Sequence, residues 1–163
     1  MQNSAETTRL FLSTLTEEDY VFMALLVNSE GWIKFIGDRK VHSKAEAVAY
    51  IGKILNTKNL YYWVVRIKEE NTPIGIISFL KREYLEFFDI GFAFLPEFQG
   101  NGYACEATKE ILSIVCSANA CDPVLATTIP GNVNSIKLLN KLGFHFQKKL
   151  EIANQTLHIY SNS

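Results

Sequence analysis

The chain has little charge to spare in either direction. Sixteen Lys plus Arg stand against seventeen Asp plus Glu over 163 residues, a formal net charge of −1. Without a basic surplus to neutralise a run of phosphates, nucleic acid is not expected as a ligand. No apolar run approaches the roughly 18 residues needed to cross a bilayer, so no membrane partner is expected. The opening residues Met1 to Thr8 lack the basic and apolar regions of a signal peptide, which points to a cytoplasmic protein. Cysteine is scarce too. Cys105, Cys116 and Cys121 are odd in number and show neither CxxC spacing nor neighbouring histidines, which argues against a disulfide framework and against a metal site. Cys105 and Cys116 fall on one face of a helix and read as reduced packing residues. No internal repeat or low-complexity tract is visible. What the chain does have is apolar mass: 48% of its residues are hydrophobic, enough for one domain spanning residues 1–163.

The pattern along the chain is mixed. Arg9 to Leu12 reads as a strand, and Thr16 with Asp19 opens a helix through Val27. Ser43-Lys44-Ala45-Glu46 fits a capping box, with Ala45 to Leu55 continuing at helical spacing. Tyr61 to Ile67, Ile74 to Leu80 and Tyr84 to Phe94 are rich in β-branched and aromatic residues. Connections this short force an antiparallel meander, because a parallel crossover needs a dozen or more residues. The pattern then changes: Glu106 to Ser117 is helical, Val124 to Ile129 a strand, and Asn134-Ser135 can cap a helix that ends at Leu142 before Gly143. Phe144 to Leu150 and Thr156 to Tyr160 form a hairpin around Ala153-Asn154. The expected fold class is α/β (α+β), an antiparallel front half and a βαβ back half.

The informative stretch runs from Asp89 to Ala104. A strand enters the turn Gln99-Gly100-Asn101-Gly102, which opens a helix at Tyr103-Ala104. Such a turn aims unpaired amides and the positive end of a helix dipole at one spot, a ready anion site. Gly100 and Gly102 let the backbone come close to a phosphate, and Ala104 keeps the next turn close. Three phosphate-binding readings compete. A P-loop is excluded because the Gly-Lys-Ser/Thr ending is missing. A dinucleotide fingerprint would need its third glycine at Cys105, its acidic partner at Asp122 precedes a strand instead of ending one, and the upstream strands are antiparallel. The third reading is the Gln/Arg-x-x-Gly-x-Gly/Ala pyrophosphate loop, met by Gln99, Gly102 and Ala104.

With Pro96-Glu97 before it and Tyr103 to Ala107 after it, this block resembles the GNAT superfamily of acyl-CoA N-acetyltransferases. More narrowly it is similar to the RimJ and RimL branch, which acetylates ribosomal-protein N-termini. A second block, Ala126 to Ser135 followed by Leu138, Leu142, Gly143 and Phe144, resembles the branch's Asn-x-x-Ser helix start and Leu-Gly-Phe ending. The opening Glu6 to Leu12, with Leu15 to Asp19, is similar as well, so the resemblance covers nearly the whole chain in order.

The resemblance implies a GNAT-like mixed sheet with a splayed central strand pair, and direct acetyl transfer from acetyl-CoA to an amine. Main-chain groups of Phe92, Ala93 and Phe94 would line the pantetheine arm. The amides of Gln99, Gly100, Asn101, Gly102, Tyr103 and Ala104 would hold the pyrophosphate, and Asn132 would contact pantetheine. A tyrosine near the sulfur in many members corresponds here to Leu139, which cannot donate a proton. Ser135, Tyr103 or water remain as acids, and Asp89 is the leading base ahead of Glu30, Glu86 and His42, although each has a purely structural alternative. The acceptor is left open between a protein or peptide α-amine and a small amine such as an amino sugar, polyamine or antibiotic. A CoA-binding module without chemistry is a third possibility. A monomer or a homodimer is compatible with an exposed strand edge.

Overall fold

The computed structural model describes residues 2–117 and 123–163, so Met1, Cys121 and Asp122 lie outside the described residues. Among the described residues there are eight strands in one sheet, ordered β1-β2-β3-β4-β5-β6-β8-β7, and five α-helices. The strands are β1 (Ser4–Glu6), β2 (Leu10–Thr14), β3 (Leu60–Ile67), β4 (Thr72–Leu80), β5 (Asp89–Phe94), β6 (Leu125–Thr128), β7 (His145–Ile152) and β8 (Gln155–Ser161). The helices are α1 (Tyr20–Val27), α2 (Glu30–Phe35), α3 (Lys44–Leu55), α4 (Tyr103–Ser117) and α5 (Val133–Lys141). Strands β1 to β5 form the antiparallel meander, and β5-α4-β6 is the parallel crossover. The expected mixed α/β fold is therefore present.

Each face of the sheet buries its own core. On one face α4 and α5 bring Ala107, Ile111, Val115 and Leu139 against Trp63, Ile77, Phe79 and Ile90. On the other, α1 to α3 bring Phe22, Met23, Trp32 and Ile51 against Val64 and Ile76. This two-sided burial explains why β3 and β4 read as nearly continuous apolar runs. Local signals behave as their chemistry dictates. Ser43 accepts the Glu46 amide at 3.2 Å, and Asp19 closes the Thr16 box at 2.9 Å. Ala153 and Asn154 both take positive φ, 48° and 62°, the geometry that matches a two-residue turn to strand twist.

Several expectations need correction. Strand character starts at Asp89, not Tyr84. The aromatics before it serve packing instead: Phe88 stacks on Phe79 at 4.7 Å, and Leu85 and Phe87 join Leu125 and Ile159 in a small cluster. Helix α5 is capped by Asn132, whose side chain accepts the Ser135 amide, so it begins at Val133 and not after Asn134-Ser135. Cys105 is buried but Cys116 is exposed. The buried arc of α4 passes through Ala107, Ile111 and Val115 and ends at Cys105, and at 100° per residue Cys116 projects about 20° beyond that edge. Helix α2 and strand β1, six and three residues long, are too short to carry a periodic pattern in the sequence.

Candidate active site

Strands β5 and β6 run parallel but share a single register pair among the described residues, Asp89 with Leu125. There the Leu125 amide donates to the Phe88 carbonyl at 2.8 Å. Beyond that point no register pair joins the two strands among the described residues, which leaves a gap along the rest of β5. Main-chain parity decides what faces the gap. The Leu95 amide bonds to Ile74 of β4, whereas the Phe88 carbonyl is turned toward β6. Alternate residues of a strand turn both main-chain groups to the same side. Phe92 and Phe94 therefore present main-chain groups to the gap, while Ala93 faces β4, where it pairs with Ile76. The side chains of Phe92 and Phe94 belong to the core on the α4 side.

The loop lies at the far end of this gap. Gln99 folds back so that its side-chain amide donates to the Phe94 carbonyl at 3.0 Å, tying the loop to the strand it leaves. Gly100 and Gly102 take φ of 78° and 81°, a region that other L-residues occupy only at a cost. Around Gly100 nothing approaches within 4 Å of where a Cβ would stand. The first α4 bond runs from the Glu106 amide to the Gly102 carbonyl. The amides from Gly102 to Cys105 thus precede the helical ladder and point at the same end as its dipole. Asn101 is exposed, and Tyr103 and Ala104 are half-buried. These residues fit a pyrophosphate: backbone donors, no bulky side chain, and a helix N-terminus behind them.

At the closed end sits Asp89, 1% exposed. Arg82 donates from Nε to its Oδ2 at 2.5 Å, and Thr127 of β6 lies 3.4 Å from the same oxygen. Oδ1 has no hydrogen-bond partner among the described residues. Burial pushes the Asp89 carboxyl above its ordinary value, and the Arg82 charge and the Thr127 hydrogen bonds oppose that push without cancelling it. The base candidates Glu30, Glu86 and His42 are exposed, and the His42 amide is spent on Glu46 at 2.7 Å.

Across the gap, Asn132 uses its side-chain oxygen as the α5 cap at 3.2 Å, which leaves its two amide hydrogens for a ligand. Ser135 stands half-buried in the first turn of α5. Leu139 is 1% exposed within the main core. Tyr103 carries the Arg9 guanidinium over its ring, 4.4 Å from the centroid.

Three residues of the site were not singled out from sequence. Arg82 read only as part of a strand break, yet a carboxylate inside the apolar run Asp-Ile-Gly-Phe-Ala-Phe demands a counter-charge, and Arg82 is among the nearest basic residues upstream. Thr127 lacks such a signal. Gly75 does have one, as an isolated strand glycine marks a close approach. A Cβ there would lie 2.4 Å from the Phe94 ring, so Gly75 lets that ring settle across β4.

A splayed parallel pair with a glycine loop at its mouth has counterparts among known proteins. The profile described as acetyltransferase (GNAT) domain matches residues 9–145. The uncharacterized N-acetyltransferase YnaD of Bacillus subtilis is 27% identical over 137 residues, covering 84% of this chain and 79% of that protein. Among solved structures, a GNAT-family acetyltransferase from Bacillus anthracis superposes with a TM-score of 0.81 at 21% identity, covering 97% of this chain and 96% of that one. RimL, a ribosomal L7/L12 α-N-protein acetyltransferase solved in complex with coenzyme A, gives 0.82 at 14% identity, with coverage of 95% and 94%. The matched span holds the splayed strands, the loop and the capped helix beyond them, and on that ground the chain belongs to the GNAT acetyltransferases, enzymes that take their acetyl group from acetyl-CoA.

Proposed function

We propose that the enzyme acetylates the α-amine of a protein or peptide. The observation that carries the reading is the polarity of the β5–β6 gap, with backbone amides at its open end and a buried carboxylate with one free oxygen at its closed end. Amides of Gln99 to Ala104 hold the acetyl-CoA pyrophosphate. Main-chain groups of Phe92 and Phe94 and the side-chain amide of Asn132 line the pantetheine arm as a neighbouring strand would. A main-chain amide of β5 polarises the thioester carbonyl.

In this reading Asp89 is the base. Its free Oδ1 accepts a proton from the incoming ammonium, and Arg82 fixes the orientation of the carboxylate. The neutral amine forms the new C–N bond as the C–S bond breaks; the N–H proton it then sheds passes through the Ser135 hydroxyl to the departing thiolate, so CoA leaves as the thiol and the serine is restored. A raised carboxyl value suits this task, because a base works best when its pKa approaches the working pH.

The α-amine preference rests on proton arithmetic together with the activity of RimL, an α-N-protein acetyltransferase of the same fold. With an α-amine pKa near ~8, about a tenth is neutral at pH 7, against roughly one part in 2,500 for a lysine amine near ~10.4. A single buried carboxylate held by an arginine is a modest base, so a substrate that arrives partly neutral has the advantage. The test compares kcat/KM for a peptide with a free N-terminus against the same peptide, N-terminally blocked, with one internal lysine. The free N-terminus should react faster near neutrality. Equal or higher values for the lysine peptide would overturn the α-amine reading.

A further inference from the structure

The turn between β1 and β2 grips the start of α4. The Thr7 hydroxyl donates to Glu106 Oε1 at 2.5 Å, and the Arg9 amide donates to the same oxygen at 3.0 Å. Arg9 Nε and Nη2 both reach Glu106 Oε2 at 2.7 Å. One Arg9 nitrogen remains, and Nη1 donates to the Asn101 carbonyl at 3.0 Å, inside the loop itself. The guanidinium also sits over Tyr103, 4.4 Å from the ring centroid. One side chain therefore touches the loop, the first helical residue and the first acidic residue of the helix at once.

The consequence follows from peptide geometry. In a planar trans peptide the carbonyl and the next amide point in opposite directions. Fixing the Asn101 carbonyl on Arg9 turns the Gly102 N–H away from Arg9, toward the side where the other helix-end amides stand free. A Cβ at Gly102 would stand 3.4 Å from Arg9 Nη2, in ordinary contact, so the clasp lies directly against this residue. Because Glu106 already neutralises Arg9, the guanidinium acts here by geometry more than by adding charge to the anion site. Glu106 is well placed to hold it: burial raises its carboxyl, but the hydrogen bonds from Thr7 and Arg9 outweigh that and keep it below the ordinary glutamate range.

We infer that Arg9 is a positioning residue for the acyl donor: braced by Glu106, it pins the Asn101 carbonyl and so presets the Gly102 amide for the pyrophosphate. The inference rests on the proposed pyrophosphate role of the loop. Its signature is selectivity between donors that carry a pyrophosphate and donors that do not.

The test measures dissociation constants for acetyl-CoA by calorimetry and for S-acetylpantetheine, which lacks the pyrophosphate, by ligand-observed NMR. Arg9→Gln should raise the acetyl-CoA value about tenfold and the S-acetylpantetheine value less than about twofold. Arg9→Lys keeps the charge but not the fork, and should stay within about threefold of Arg9→Gln. Amide exchange at Glu106, whose N–H is held by the Gly102 carbonyl, should quicken in both variants while β3 and β4 keep wild-type rates. Glu106→Gln, which retains an accepting oxygen for Thr7 and the Arg9 amide, should show the same donor selectivity to a smaller degree, and it carries the test if Arg9→Gln does not fold. Equal weakening toward both donors means a merely structural residue and overturns the assignment, as does full rescue by lysine or no change at all. A wild-type chain that binds neither donor brings down the acetyl-CoA reading and this assignment with it, whereas a wild-type chain that binds both, beside unchanged variants, brings down the Arg9 role alone.

Discussion

A buried carboxylate with one oxygen held and the other free is costly to maintain, because the ionised form gives up hydration that a single arginine only partly replaces. Asp89 is such a group. Its carboxyl is raised by burial, so folding is favoured most below the ordinary aspartate value of about 4 and that advantage is lost as pH rises through the higher folded-state value. Asp89→Asn removes the charge but keeps the shape and an oxygen for Arg82. Arg82, 34% exposed, can rehydrate what it loses. The variant should therefore keep a melting temperature equal to or above wild type near neutrality, while kcat falls at least about a hundredfold if Asp89 is the base. The acid limb of the wild-type kcat/KM profile should lie above the usual carboxylate range and vanish with the substitution. A variant that melts earlier and still turns over would reverse the roles, making Asp89 a strut between β5 and β6. From sequence, parity distinguished Asp89 from its apolar neighbours, but it could not supply Arg82, because a pairing across a turn depends on a chain path that no local pattern encodes.

At the scale of single elements, Asn132 joins stability to binding through two ends of one amide. Its oxygen caps α5, and its nitrogen is left to donate to the proposed pantetheine arm. Asn132→Ala should cost about 1 kcal/mol of stability, the usual worth of a cap, together with acetyl-CoA affinity. Asn132→Ser restores the cap but has no amide to donate. It should recover the stability and leave the affinity low, as read by denaturant midpoints beside calorimetry. Recovery of both would confine Asn132 to capping. The elements legible in the sequence are those with a long period or a complete local signal: β3 and β4 by their β-branched runs, α3 by Ser43 and Glu46, and the β7–β8 turn by Ala153-Asn154. Helix α2 is only six residues, Glu30 to Phe35, too short to establish a period. The stretch from Tyr84 to Phe88 looked like strand because its aromatics suit a sheet, but they pack from a bend, and composition alone does not separate those outcomes. The loop was legible because glycine spacing and a following helix are local facts, whereas the clasp from Arg9 spans more than ninety residues and depends on the sheet placing β2 near the start of α4.

For the whole molecule, the arrangement makes acyl-donor binding a global event. The proposed donor path touches β5, the loop, the N-terminus of α4 and the N-terminus of α5, while Arg9 carries the same site back to the β1–β2 turn. A ligand gripping elements from both ends of the chain binds the folded state and not the unfolded one, so it must raise the melting temperature by mass action. At a hundredfold excess over its dissociation constant, acetyl-CoA should stabilise by about 2.7 kcal/mol, roughly 5–11 °C for a domain of this size. NADH and ATP also carry a pyrophosphate linkage, but they lack the pantetheine arm that the edge of β5 and Asn132 would engage, so at equal concentration they should shift the transition much less. The contrast bears on more than affinity, since the glycine loop alone would accept any of the three and only the splayed strands distinguish them. A shift by NADH as large as that by acetyl-CoA would mean that the loop does the binding and that the gap between β5 and β6 contributes nothing to donor choice.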